Sequence, residues 1–98
     1  MSVVYTDDAL AELESIVDFI DSNYPTALKG FRRRFEKVIS QIELFPESAI
    51  RMEEEVDVHV IPLVRYPYIV FYRHRHNVVE ILHIRHTTQD YPPNLSPV

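Results

Sequence analysis

The spacing of apolar residues changes once along the chain, at Pro46, and that change constrains the fold more than any other feature. Upstream, Leu10, Leu13, Ile16, Val17 and Ile20 recur every three or four positions, and Leu28, Phe31, Phe35, Val38, Ile39 and Ile42 do the same. A repeat near 3.6 places one apolar stripe on each of two helices. Downstream, Val56, Val58 and Val60 alternate with Asp57, His59 and Ile61, and a period of two belongs to a strand, with Pro62 marking a bulge or an edge near its end. Tyr68 to Arg73 is a dense β-branched and aromatic run, expected to be the most buried strand. His74-Arg75-His76-Asn77 reads as a turn, and Val78 to Arg85 completes a hairpin. With Ser2 to Tyr5 as a β-prone opening, the order is β-α-α-β-β-β. The expected class is α+β, an antiparallel helical hairpin packed on a three- to four-stranded antiparallel sheet. The sequence leaves open whether the first strand joins the edge or the middle of that sheet.

Local signals set the helix ends. Thr6 can cap a helix over residues 7–23, and Asp7 and Asp8 in its first turn suit the helix dipole. Asn23-Tyr24-Pro25 breaks it, and Pro25 can open the second helix, which stops by Pro46. Phe19 lies about 120° from the stripe centre at Leu13, so it faces either a covering strand or loop, or another chain. On the second helix Arg33 and Lys37 oppose the stripe, with Lys29 and Arg32 toward one flank and Arg34 toward the other. Such a run is either a solvated face or a docking patch for an acidic segment.

Composition removes several function classes. At 98 residues the chain holds one core, taken as a single domain over residues 1–91 with a Pro-rich tail at 92–98. No cysteine is present, which excludes disulfides, thiolate metal sites and cysteine nucleophiles. The single glycine, Gly30, rules out phosphate-cradling loops. The opening residues lack a basic, apolar leader and no run of 18 apolar residues occurs, so a soluble cytoplasmic protein is expected. Net charge is −5, but segregated: residues 1–24 carry six acidic side chains and no Lys or Arg, whereas residues 25–45 carry five basic against two acidic. An acidic total does not suit indiscriminate adhesion to nucleic acid. His59, His74, His76, His83 and His86 lack the spacing of a metal motif, so no metal and no cofactor are expected. No serine sits in a triad signature. The cluster that could carry chemistry is Arg65, Tyr68, Tyr72, Arg73, Arg85, His86, Gln89, Asp90 and Tyr91, where Arg, His and Tyr on adjacent strands could hold a phosphate or move protons without metal; the structural alternatives are half-buried packing for Tyr68 and Tyr72, and neutralisation of first-helix acids by Arg73 and Arg85.

Pro67-Tyr68-Ile69-Val70-Phe71-Tyr72-Arg73, then Val79-Glu80-Ile81-Leu82-His83-Ile84-Arg85-His86 and Asp90, resembles the ParE/RelE toxin superfamily of bacterial type II toxin–antitoxin, or plasmid stabilisation, modules. The helical hairpin ending in Leu44 to Glu47 is similar too. The resemblance implies a cognate antitoxin that wraps the toxin and a target in translation or DNA topology. In the RelE-like branch, metal-independent ribonucleases, an arginine follows the tyrosine matched to Tyr68, a basic pair stands at His86 and its neighbour, and lysines occupy the preceding strand. Here those places hold Ile69, Thr87, Val60 and Pro62. One lost cation costs ~3 to 4 kcal/mol of transition-state stabilisation. The ParE-like branch, associated with DNA gyrase, fits better, although its arginine before the aspartate is Gln89 here. The expectation is therefore a non-catalytic toxin neutralised by a ribbon-helix-helix, ParD-like antitoxin, with no sequence-specific nucleic-acid binding. Its target contacts would be Tyr68, Tyr72, Arg85, His86, Gln89 and Asp90. Its antitoxin contacts would be Phe19, Arg32, Arg33, Arg34 and Lys37. The alternatives are an endoribonuclease using Arg65, Arg73, Arg85 and His86, and a detoxified scaffold that only pairs with an antitoxin.

Overall fold

The computed structural model describes residues 2–47, 50–51 and 57–87. Val56, Gln89, Asp90 and the 92–98 tail therefore lie outside the described residues. Strand β1 (Ser2–Tyr5) leads into helix α1 (Asp7–Asn23), whose N-cap is Thr6 as expected: its Oγ1 accepts from the Ala9 N–H at 3.1 Å. A 3₁₀ turn over Pro25–Ala27 precedes helix α2 (Leu28–Leu44), so proline opens a tight turn rather than the helix itself. Then follow β2 (Ile50–Arg51), β3 (Val58–Pro62), β4 (Tyr68–Arg75) and β5 (Val78–His86).

The α+β order and the two helices over one sheet face are as the sequence implies, but the sheet is larger and mixed. Its strand order is β1-β5-β4-β3-β2, and β1 runs parallel to β5, with Ser2 opposite Val78 and Tyr5 opposite Ile81. The extra strand β2 is two residues long and pairs Ile50 with Val60, too short to leave a period. The hairpin turn is also shorter than expected. Strand β4 runs on through Arg75, and only His76 and Asn77 turn, both at positive φ (50° and 63°). That is the two-residue geometry matching the twist of paired strands, and Asn tolerates it.

One core fills the space between helices and sheet. Phe31, Phe35, Val38 and Ile42 from α2 meet Tyr68, Val70, Tyr72, Val79, Ile81 and Ile84. On α1 the buried stripe begins at Ala9, and Leu10, expected inside, is exposed. Gly30 serves a close approach: a Cβ there would stand 2.5 Å from the Tyr66 hydroxyl, and the Tyr66 ring packs edge-on to Phe31 at 5.8 Å. Val58 and Phe71 form a second, smaller cluster on the other sheet face.

A bulge in β5 decides where the last side chains go. Phe71 pairs with His83 but Tyr72 pairs with Ile81, which leaves Leu82 as the extra residue. Core positions therefore run Val79, Ile81, Ile84, and His83 and Arg85 are turned out of the core toward α1.

Candidate functional site

Beyond Ile81, strand β5 has no strand neighbour on the β1 side among the described residues, and α1 takes over the edge. The Thr6 N–H donates to the Ile81 carbonyl (3.0 Å) and the Thr6 hydroxyl to the Leu82 carbonyl (3.0 Å). Six residues further on, the Ile84 N–H donates to Glu12 Oε1 at 2.9 Å. Glu12 thus supplies the acceptor that a continued β1 would have offered, since an open strand edge needs one. The same carboxylate stands 2.8 Å from Arg85 Nε and 3.3 Å from His83 Nδ1. The Arg85 contact is an ion pair rather than an aligned hydrogen bond, because Nε is buried and its N–H misses the acceptor.

Above this carboxylate, α1 and the strand ends enclose an open groove of about 570 Å³. Ala11, Glu12, Ser15, Ile16 and Phe19 line one wall, and Tyr68, Ile84, Arg85 and His86 the other. Phe19 is 52% exposed and its ring lies 6.2 Å from that of Tyr24, so among the described residues no strand or loop covers it. The His86 ring meets Tyr68 edge-on at 5.4 Å, and burial pushes the Tyr68 phenol up from its ordinary value.

The residues singled out from sequence are sorted differently by the structure. Tyr68, Arg85 and His86 do come together, and Phe19, expected with the basic block of α2, joins them instead. Arg32, Arg33 and Lys37 are exposed and Arg34 half-buried on α2, a helix that contributes no residue to the groove. Tyr72 is not a surface contact. It is fully buried, donates to the Pro46 carbonyl at 2.6 Å and stacks on His59 at 5.2 Å, because the β4 register points it under the end of α2. Nor do the four residues of the ribonuclease alternative converge. Arg85 is opposite Ile69, whereas Arg73 lies four residues further along β4, roughly 13 Å away. There Arg73 faces Glu80, with Nη1 3.9 Å from Oε1. Arg65 occupies the β3–β4 turn at φ 81°.

Arg85 does neutralise an acid of the first helix, one of the alternatives the sequence left open for it, whereas Arg73 turns to Glu80 of β5; sequence reasoning did not single out Glu12 itself or the Glu47 cluster. Glu47 reaches His59 Nε2 at 3.4 Å and His74 Nδ1 at 3.3 Å, and those imidazoles hold its carboxyl below the ordinary range. Glu12 did carry a signal, since it flanks the α1 stripe beside Leu13 and Ile16, but its partners lie some seventy positions away.

A helical hairpin on one face of a mixed sheet, with a groove between the first helix and the last strand, defines a small two-layer α+β domain. The sequence model for the ParE toxin of the type II toxin–antitoxin system, parDE, matches residues 3–91, and the chain belongs to that family. Among solved structures it is similar to the chromosomal ParDE TA system from P. aeruginosa, at 27% identity and a TM-score of 0.72, over 88% of this chain and 95% of that one. No curated protein sequence matches it. Among the described residues, no helix is long and apolar enough to cross a membrane.

Proposed function

We propose that this ParE-family protein acts in the cytoplasm as a toxin that inhibits DNA gyrase by protein–protein contact, and that a ribbon-helix-helix, ParD-like antitoxin neutralises it. The observation that carries the reading is the disposition of the cations. Arg73 and Arg85 each face a carboxylate of their own chain, at separate ends of the hairpin, and Tyr68, Arg85 and His86 border an apolar groove. Phosphodiester cleavage needs cations focused on one developing charge, whereas an apolar groove with an aromatic lip suits a protein segment.

The test runs two assays side by side on the purified chain: gyrase supercoiling and cleavage, and ribosome-dependent messenger cleavage. Gyrase inhibition relieved by a ParD-like antitoxin is the expected result. Messenger cuts that vanish on His86→Ala would establish the ribonuclease instead, and harmless overexpression without antitoxin would establish the detoxified scaffold.

A further inference from the structure

Arg85 uses one edge of its guanidinium on Glu12, and among the described residues no contact engages its two Nη groups. A guanidinium has five N–H donors in a rigid fork, and its Nη edge can receive a carboxylate through two parallel N–H···O bonds. Arg85 is only partly exposed and lines the groove whose far wall is Ile16 and the exposed Phe19. The two features, an apolar wall and a held but incompletely used guanidinium, face the same space.

Charge decides which anion fits. Glu12 forms part of the groove, and residues 1–24, which include α1, carry six acidic side chains and no Lys or Arg. A polyphosphate chain would meet that field along its length, whereas one carboxylate beside an apolar side chain meets only the Arg85 fork. We propose that the groove takes a protein segment bearing an apolar anchor next to a carboxylate, the anchor against Phe19 and Ile16 and the carboxylate on the Nη edge of Arg85. The proposal rests on the reading that the partner at this rim is a protein, and it adds what that partner must carry. Glu12 is the positioning residue: its ion pair with Arg85 holds the guanidinium at the groove wall and spares the partner much of the cost of ordering a long side chain.

Binding can be read without any toxicity assay, which keeps its failure separate from failure of the gyrase reading. The full chain, ¹⁵N-labelled, is titrated with two acetylated, amidated hexapeptides that differ only in Leu-Glu against Leu-Gln at the centre, and with a single-stranded hexaribonucleotide. The Glu peptide should shift the amides of Phe19, Ile84 and Arg85 and bind about fivefold more tightly than the Gln peptide, the ratio of an exposed-to-half-buried ion pair. Phe19→Ala, which leaves a solvent-exposed site smaller and the core untouched, should weaken both peptides alike. Arg85→Gln should bring the two peptides to equal affinity, and the Glu12→Gln, Arg85→Gln double variant repeats the measurement with no carboxylate left unpaired should the single one fold poorly. Equal affinity of the two peptides for the unaltered chain overturns the proposal. So does tighter binding of the oligonucleotide than of the Glu peptide, or shifts confined to α2.

Discussion

Tyr72 separates a packing role from a contact role with one atom. Tyr72→Phe keeps the ring stacked on His59 and removes the hydroxyl that donates to the Pro46 carbonyl at 2.6 Å. A neutral hydrogen bond contributes about 1 kcal/mol, and leaving a buried acceptor unsatisfied raises the loss toward about 2 kcal/mol. Pro46 is buried, so water does not readily replace the donor. For a domain of this size each kcal/mol moves the midpoint by roughly 4–8 °C, so thermal unfolding followed by circular dichroism should show Tm falling by roughly 8–16 °C. Denaturant titration should show a lower midpoint at an unchanged slope, because the surface exposed on unfolding is the same. Gyrase inhibition per folded molecule should not change. A variant that keeps its Tm, or that keeps its stability and loses inhibition, would refute the argument and return Tyr72 to the target surface.

The remaining expectations follow from single contacts. Gly30→Ala gains about 1 kcal/mol of helix propensity but meets the Tyr66 hydroxyl, so it should stabilise the protein by that amount only in a Tyr66→Phe background, and additive effects in the double-mutant cycle would refute the clash. Glu12→Ala removes the acceptor for the Ile84 N–H, and native-state hydrogen exchange should show that amide opening roughly tenfold more often; unchanged protection would mean the edge is held by something else. The lowered Glu47 carboxyl gives stability that is present above its ordinary value near 4.5 and is lost as pH falls through the lower value of the folded state. The gap in Tm between the natural chain and Glu47→Gln should therefore close as pH falls well below 4.5, and a gap that persisted in that acid range would contradict the pairing.

Both helices and the β4–β5 hairpin were legible because their information is local. Thr6 caps where its side chain and the acids after it say it should, and the α2 stripe is the buried stripe. What escaped was non-local. β1 finds its place beside β5 through residues at the two ends of the chain, and nothing in SVVY states that partner. The bulge at Leu82 was hidden because VVEILHIR has apolar residues on both parities, so alternation could not show where the phase changes. Phe19 was visible as an off-stripe aromatic, but its neighbours were not, since the groove joins α1 to strand ends far along the sequence. Tyr72 stayed open between packing and target contact because period two fixes which face a residue is on, and not what covers that face.

The parallel pairing of β1 with β5 also bears on how the protein is born. Thr6 bonds a carbonyl 76 positions downstream, so the first strand leaves the ribosome with its sheet neighbour still unmade. At about 5–20 residues per second that wait is roughly 4–15 s, during which the amino-terminal strand and the apolar side of α1 stay open to whatever binds them first. A ParE-family chain assembled this way closes its sheet only once β5 has been made, so the β1 edge and the apolar side of α1 are the surfaces longest open during synthesis.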